Sequence, residues 1–314
     1  MSVEQAPSAA SSSGAGMSHT GRSAAADQPA AAEQDEAGTA ARPSSRAGRN
    51  LPVAIGVGLA LAAVLISSLY TRKALFLGVL LVAIAIGIRE LVRAVRTIGA
   101  SPPMTPLVVG GAVMAVIAYL RGSEALLIGL VLTVLACLVW RLPDGPAGYL
   151  RDLSASTLAA VYVPFLASFA ALMLIPQDGP RRVTVFIATV VCSDVGGYAA
   201  GALFGRHPMA PSVSPKKSWE GLVGSTLACA LGGSLMVVLL LHGDWWQGLL
   251  FGLAVVVTAT VGDLGESMVK RDIGIKDMGT LLPGHGGLMD RLDSLLPTAP
   301  VAWLLLSVFV PHAR

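Results

Sequence analysis

Charged side chains are concentrated near the end of a chain that is otherwise apolar. Between Asp263 and Asp293 lie six carboxylates, four basic residues and one histidine, although only 13% of the whole sequence is charged. A soluble domain carries about 25% charged residues, so such a low total indicates a membrane protein. Carboxylates suit a hard cation and basic groups suit an anion. The pattern therefore predicts a site that holds a polar, anionic ligand.

The stretch LLPGHGGLMDRLDS, residues 281–294, combines glycines with two acids. Gly286 and Gly287 allow a sharp turn whose N–H groups can approach phosphate oxygens. Asp290 and Asp293 stand one helical turn apart, a spacing that lets two carboxylates share Mg²⁺. Two side chains in the same stretch remain open in role. Arg291 is either a phosphate clamp or an ion-pair partner, and His285 either contacts phosphate or base or is structural.

Further acids occur in two apolar runs upstream. In TVGDLGESMVKRD, Asp263, Glu266 and Ser267 have the spacing of one helix face, which Lys270 continues. Asp194 lies near the middle of an apolar run, where a carboxylate is costly and by default functional. The structural alternatives are a solvated helix cap for Asp263 and an acid paired for packing for Asp194. The glycines that follow Asp194 are typical of helix packing, since no strand precedes them as a dinucleotide fingerprint requires.

The segment SPKKSWEG, residues 214–221, adds adjacent basic groups. Lys216 and Lys217 can attract lipid headgroups or a triphosphate at a membrane surface. The alternative is an ordinary positively charged anchor of a cytoplasmic loop. Ser218, ahead of Trp219 and Glu220, has the composition of a helix start.

The elements that must position these groups are membrane-spanning helices. Apolar runs of about 17 to 25 residues are long enough to cross a bilayer. The sequence predicts an all-α polytopic membrane protein with about nine such spans, near 51–70, 74–92, 105–120, 124–140, 154–175, 183–204, 221–241, 247–264 and 295–311. We divide it into a disordered Ala/Ser/Gly-rich cytoplasmic tail (1–48), about five N-terminal spans (49–175) and a catalytic membrane region (176–314).

Lysine and arginine indicate the orientation. With the N-terminus in the cytoplasm and the C-terminus outside, sixteen of the 22 Lys and Arg residues fall on the cytoplasmic side. The long polar loops fall on the same side. We therefore expect a protein of the plasma membrane whose site faces the cytoplasm. No basic face with interleaved aromatics appears, which argues against nucleic-acid binding. The three cysteines lie singly in apolar runs and predict neither disulfides nor zinc.

The 27 residues Ser267–Asp293 resemble the signature of the phosphatidate cytidylyltransferase (CDP-diacylglycerol synthase) family without a departure. The resemblance extends upstream to GDLGES, SPKKSWEG and SDVGGY, and so covers about the last 125 residues. The N-terminal spans resemble the family only in hydropathy. The resemblance implies that CTP and phosphatidate give CDP-diacylglycerol and pyrophosphate, in a Mg²⁺-dependent, helical, homodimeric membrane enzyme. Whether a monovalent cation joins Mg²⁺ is left open.

The resemblance also implies roles for single residues. The catalytic groups would be Asp263, Asp290, Asp293 and Lys270. Metal ligands would come from Asp263, Asp290, Glu266 and Asp194. Substrates would be held by Ser214, Lys216, Lys217, Arg271, Lys276, His285, Gly286, Gly287 and Arg291. Rival functions are a CTP-dependent polyprenol kinase, a cytidylyltransferase for archaeal-type lipids, an ion-coupled transporter with Asp194 and Asp263 as ion sites, and a structural scaffold.

Overall fold

Apolar helices make up nearly all of the part of the chain that the structure describes. A computed structural model describes residues 51–281 and 286–310, with the backbone alone for 51–55. The predicted tail (1–48) and His285 lie outside these residues. The helices are α1 (Leu51–Thr71), α2 (Lys73–Arg96), α3 (Met104–Arg121), α4 (Ser123–Arg141), α5 (Tyr149–Ala160), α6 (Leu166–Leu174), α7 (Gly179–Phe204), α8 (Trp219–Leu241), α9 (Trp245–Ile273), α10 (Met289–Leu292) and α11 (Leu295–Phe309).

Each predicted span corresponds to a helical stretch. In the described residues, eight stretches are long and apolar enough to cross a membrane, and Gly56–Thr71 forms a shorter apolar helix. The fifth span joins α5 and α6 through a π-helical segment at Val161–Phe165, and the last span joins α10 and α11. The prediction of an all-α polytopic membrane protein is therefore confirmed. The inward N-terminus and outward C-terminus stay predictions.

Outward-facing side chains of the helices are large and apolar. On α4, for example, Leu127, Val131 and Leu135 are all exposed. A helix whose backbone groups bond internally can present such side chains to lipid without leaving polar groups unpaired. The exposed apolar side chains thus have the character expected of a lipid-facing surface.

The buried side chains form two large clusters that tie the N-terminal spans to the C-terminal ones. One cluster joins Phe76 of α2 to Phe186 of α7 and Phe251 of α9. The other joins Ile88 of α2 to Val163 of the π-helical segment and Met289 of α10. The charged segment near the C-terminus therefore packs directly on the N-terminal half of the chain.

Two local features differ from the sequence prediction. Helix α9 continues to Ile273, beyond the span predicted to end near 264, because its polar residues keep helical spacing and pair with one another. The polar loop after α7 contains a small antiparallel hairpin of β1 (Pro208–Ala210) and β2 (Ser214–Ser218). Ser218 ends this hairpin and accepts the Gly221 N–H at 3.1 Å. The predicted helix start is thus confirmed.

Helices α7 and α8 approach closely because small residues face each other. A methyl group at Gly196 would lie 2.5 Å from Cβ of Ala228 and 2.7 Å from the carbonyl oxygen of Gly224. Both distances are far below normal contact. The prediction that the glycines after Asp194 serve helix packing is confirmed at Gly196.

We expect Gly196→Ala to push α7 and α8 apart and to lower the free energy of unfolding by about 1–3 kcal/mol. The matched control is Gly78→Ala, because a methyl group at Gly78 would meet nothing within 4 Å. That control should be neutral or stabilise the helix by up to about 1 kcal/mol. Thermal unfolding in detergent measures both. Equal melting temperatures for the two variants would contradict the packing argument.

Candidate active site

A cavity of about 450 Å³ opens between α7, the β1–β2 hairpin, α8, α9 and the start of the last span. These elements come from four separate stretches of the chain, and each supplies polar groups. The cavity brings together eight of the residues predicted from the sequence: Asp194, Ser214, Lys216, Lys217, Asp263, Asp290, Arg291 and Asp293. Acids and bases thus share one space, at the end of the helices where the hairpin lies.

Three cavity carboxylates come from three different helical stretches. Asp194 projects from α7, Asp263 from α9, and Asp293 follows α10. Their charges act on one another, since Asp263 interacts electrostatically with both Asp194 and Asp293. Such mutual repulsion favours a cation among them.

These acids fit a magnesium site that a substrate completes. No three His, Cys, Asp or Glu side chains in residues 51–281 and 286–310 are close enough to form a metal site by themselves. Mg²⁺ commonly takes only one or two carboxylates and fills its other positions with water and substrate phosphates. Asp194, Asp263 and Asp293 could therefore hold Mg²⁺ together with a phosphorylated ligand.

The hairpin carries the cavity lysines. Lys216 and Lys217 both line the cavity, and Lys217 Nζ lies 2.5 Å from Asp263 Oδ2. Glu220 fixes the hairpin to α8, because its Oε2 accepts the N–H groups of Arg206 and His207 at 3.2 and 3.3 Å. Arg271, at the end of α9, donates to the Val213 carbonyl at 3.3 Å. The structure therefore gives Arg271 a contact that anchors the hairpin.

At the edge of the cavity, Lys270 joins two largely buried acids, of which Asp290 lines the cavity and Glu266 lies behind it. Its Nζ lies 3.2 Å from Glu266 Oε1 and 2.9 Å from Asp290 Oδ1. The Asp290 carboxylate also accepts the N–H of Met278, at 3.1 and 3.0 Å, and the N–H of Gly287 at 2.9 Å. Lys270 and Asp290 thus bind α9 to the segments on either side of residues 282–285. Glu266 is 1% exposed and does not line the cavity.

Several predicted residues lie outside the cavity lining. Glu266 is behind it, Lys270 is at its edge, and Arg271 contacts the hairpin. Lys276 is exposed beyond the end of α9. Gly286 and Gly287 lie close to Asp290 rather than in the lining. The metal-binding role of Glu266, the catalytic role of Lys270 and the substrate-binding roles of the others stay predictions.

Sequence reasoning missed two residues of the N-terminal half. Glu90 of α2 accepts the Met289 N–H at 2.8 Å. Tyr162, in the π-helical segment, has a buried hydroxyl that no group in the described residues hydrogen-bonds, and it interacts electrostatically with Glu266. Each is a polar residue inside an apolar run, and that was the available signal. Their partners are too distant in sequence to be inferred.

Known proteins resemble this chain over most of its length. Residues 52–309 match the model of the cytidylyltransferase family. A phosphatidate cytidylyltransferase of Mycobacterium leprae is 45% identical over 280 residues, covering 84% of this chain and 89% of that protein. The protein of the same name from Mycobacterium bovis is 42% identical over 297 residues, covering 90% and 96%. That of Brucella suis is 39% identical over 150 residues, covering 46% and 56%.

We expect Lys270→Met to leave Glu266 and Asp290 buried without their cation and to destabilise the fold by about 3–5 kcal/mol. Lys276→Met is the control, because Lys276 is exposed and its replacement strands no buried acid. Thermal unfolding in detergent compares the two variants. A Lys270→Met protein as stable as the control would show that the pair contributes little to the fold.

Proposed function

Since this chain belongs to the cytidylyltransferase family, we propose that its cavity transfers the cytidylyl group of CTP to phosphatidate. The enzyme is a nucleotidyltransferase that makes CDP-diacylglycerol and pyrophosphate for phospholipid biosynthesis. The observation that carries the proposal is the meeting of four carboxylates and two adjacent lysines in one cavity, at the end of a bundle of apolar helices. One substrate is a soluble polyanion and the other a lipid, and both can reach such a place.

The proposed reaction is an in-line displacement. A phosphate oxygen of phosphatidate bonds to the α-phosphorus of CTP, and the bond from that phosphorus to the pyrophosphate oxygen breaks. The attacking oxygen is already an anion, so no side chain needs to remove a proton from it. The main barrier is the approach of two polyanions. Basic groups fixed in the cavity lower that barrier because they need no reorganisation as charge shifts to the leaving oxygen.

The cavity residues divide between these tasks. Lys216, Lys217 and Arg291 would bind phosphate oxygens, and Ser214 would add a hydroxyl donor. One or two of Asp194, Asp263 and Asp293 would hold Mg²⁺, which would supply positive charge to the substrate phosphates. The Asp290 oxygens already accept four hydrogen bonds, so Asp290 could join this set only by giving one up. A second, monovalent cation stays within the proposal.

The membrane, the orientation and the oligomeric state of the chain can also be proposed. The chain is a multi-pass membrane protein. We infer that it lies in the plasma membrane as a homodimer, with the N-terminus and the cavity on the cytoplasmic side and the C-terminus outside. The excess of Lys and Arg on that side supports the orientation. CTP is then available to the cavity directly.

The direct test uses the protein purified in detergent with CTP labelled at the α-phosphate, short-chain phosphatidate and Mg²⁺. Label should enter the organic phase only when both phosphatidate and Mg²⁺ are present, and EDTA should abolish it. CTP labelled at the γ-phosphate is the control, since pyrophosphate carries that label away. Organic-phase label from the γ-phosphate would identify a lipid kinase. No label from either position in folded protein would reopen the transporter alternative.

We expect Asp293→Asn to reduce turnover by at least about 100-fold, because a carboxylate of the cation site becomes neutral without a change of shape. The asparagine oxygen can still accept the Ser294 N–H, which lies 2.7 Å from Asp293 Oδ1, so the fold should persist. The control is Asp272→Asn, an exposed acid outside the cavity lining. Initial rates over a Mg²⁺ series measure both. Near-normal activity in Asp293→Asn would remove Asp293 from the cation site.

We expect Lys217→Ala to raise the KM for CTP or phosphatidate by about tenfold, because one charged contact to phosphate is worth roughly 1.5–3 kcal/mol. Its effect on kcat should be smaller. Lys276→Ala, which removes an exposed lysine outside the cavity lining, is the control. An unchanged KM for both substrates would exclude Lys217 from substrate binding.

A further inference from the structure

Glu90 is a buried carboxylate that the sequence does not connect with the cavity. It lies on α2, in the N-terminal half, and is 5% exposed. A carboxylate in such a place is costly unless polar groups compensate it. The contacts of Glu90 therefore indicate its role.

The contacts of Glu90 lie on the charged C-terminal segment, 199 residues away. Its Oε2 accepts the N–H of Met289 at 2.8 Å. Met289 is the first residue of α10 and directly precedes Asp290, whose side chain lines the cavity. One hydrogen bond thus links α2 to the backbone that carries a cavity residue.

The same carboxylate occupies the space beside two glycines. A methyl group at Gly287 would lie 2.7 Å from Glu90 Oε2. At Gly279 it would lie 2.6 Å from Glu90 Cδ, and it would collide with Oε1. Since the Glu90 side chain is buried, it has no solvent into which it could move aside. Glycine at these two positions is therefore required by the position of Glu90.

Asp290 contacts the same two segments as Glu90. The N–H groups of Met278 and Gly287 both donate to the Asp290 carboxylate. A methyl group at Gly287 would also lie 2.7 Å from the Gly279 nitrogen. The segments 277–281 and 286–290, called the two arms below, are thus joined from one side by Asp290. Glu90 contacts both arms from α2.

We propose that Glu90 is a positioning residue for nucleotidyl transfer, whose carboxylate sets the two arms so that Asp290 and Arg291 face the cavity. The inference rests on the proposed function. It also gives the N-terminal half a part in the reaction, because α2 supplies a support for the arms in addition to that of Lys270 on α9. Misplacing reacting groups by about 1 Å can cost about 100-fold in rate.

The test compares Glu90→Leu, which removes the acceptor, with Glu90→Gln, which keeps an oxygen for the Met289 N–H. Glu124→Gln, at an exposed glutamate of α4, is the control. We expect Glu90→Leu to lower kcat by about 100-fold, and Glu90→Gln by less than about tenfold. The KM for one substrate should also rise in Glu90→Leu, because Arg291 moves with the arms. Equal losses in Glu90→Leu and Glu90→Gln, or wild-type kcat in Glu90→Leu, would overturn the proposal.

Hydrogen–deuterium exchange gives a readout that is independent of activity. Peptides that contain Met278 or Met289 should exchange faster in Glu90→Leu, while peptides from α7 and α8 should exchange as in the wild type. Faster exchange throughout the protein would mean a general structural role and would overturn the proposal. If the wild type made no lipid product, the proposed function would fail, and the exchange result would still decide whether Glu90 holds the arms.

A double-mutant cycle tests the contact directly. Gly279→Ala should be severe alone, because the new methyl group meets the Glu90 carboxylate. In a Glu90→Ala background, which opens that space, the same change should cost much less activity. Such non-additivity is the mark of residues in contact. Losses that simply add would place Glu90 and Gly279 in separate roles and would contradict the inference. Gly265→Ala, where a methyl group would meet nothing within 4 Å, is the matched control.

Discussion

The ion pairs of Lys270 with Glu266 and Asp290 are the interaction on which the site depends. Lys270 and Glu266 belong to α9, whereas Asp290 belongs to α10, so the Lys270–Asp290 pair ties the end of one span to the start of the next. All three groups are largely withdrawn from water, where breaking a pair leaves a charge uncompensated. The two spans therefore cannot separate or slide without a large penalty. The cavity lies against this fixed junction.

The buried acids and the cavity acids have different surroundings. Asp290 and Glu90 accept hydrogen bonds from backbone N–H groups of the two arms. Asp194 and Asp263 face the cavity, where Lys217 pairs with Asp263 and substrate or a cation can approach. Asp290 and Glu90 thus fix the backbone of the arms. Asp194 and Asp263 provide negative charge that a cation can neutralise. An apolar helix bundle can hold this many carboxylates because lysines and backbone N–H groups compensate most of them.

Much of the fold was predictable because hydropathy alone determines it. Nine apolar runs correspond to helical stretches in the described residues. The apolar span in α9 was predicted to end near 264, since charged residues lower hydropathy, while the helical spacing of Glu266 and Lys270 correctly indicated that the helix continues beyond it, to Ile273. The hairpin after α7 was not predicted, because its strands are only three and five residues long. Such short strands carry no clear alternation.

The candidate site was predictable to the extent that its residues stand in local motifs. Asp263 and Lys217 belong to short charged patterns, and they meet in the cavity. Glu90 stands in a different charged pattern, RELVRAVR at 89–96, and its contact with Met289 spans 199 residues. A single sequence shows which side chains are unusual in an apolar run, but it does not show which backbone groups they reach. The expectation that the N-terminal spans resemble the family only in hydropathy was wrong, since the family match covers residues 52–309 and so includes α2, on which the geometry of the signature segment depends. The N-terminal spans are thus more than a membrane anchor, because part of the support for the cavity comes from them.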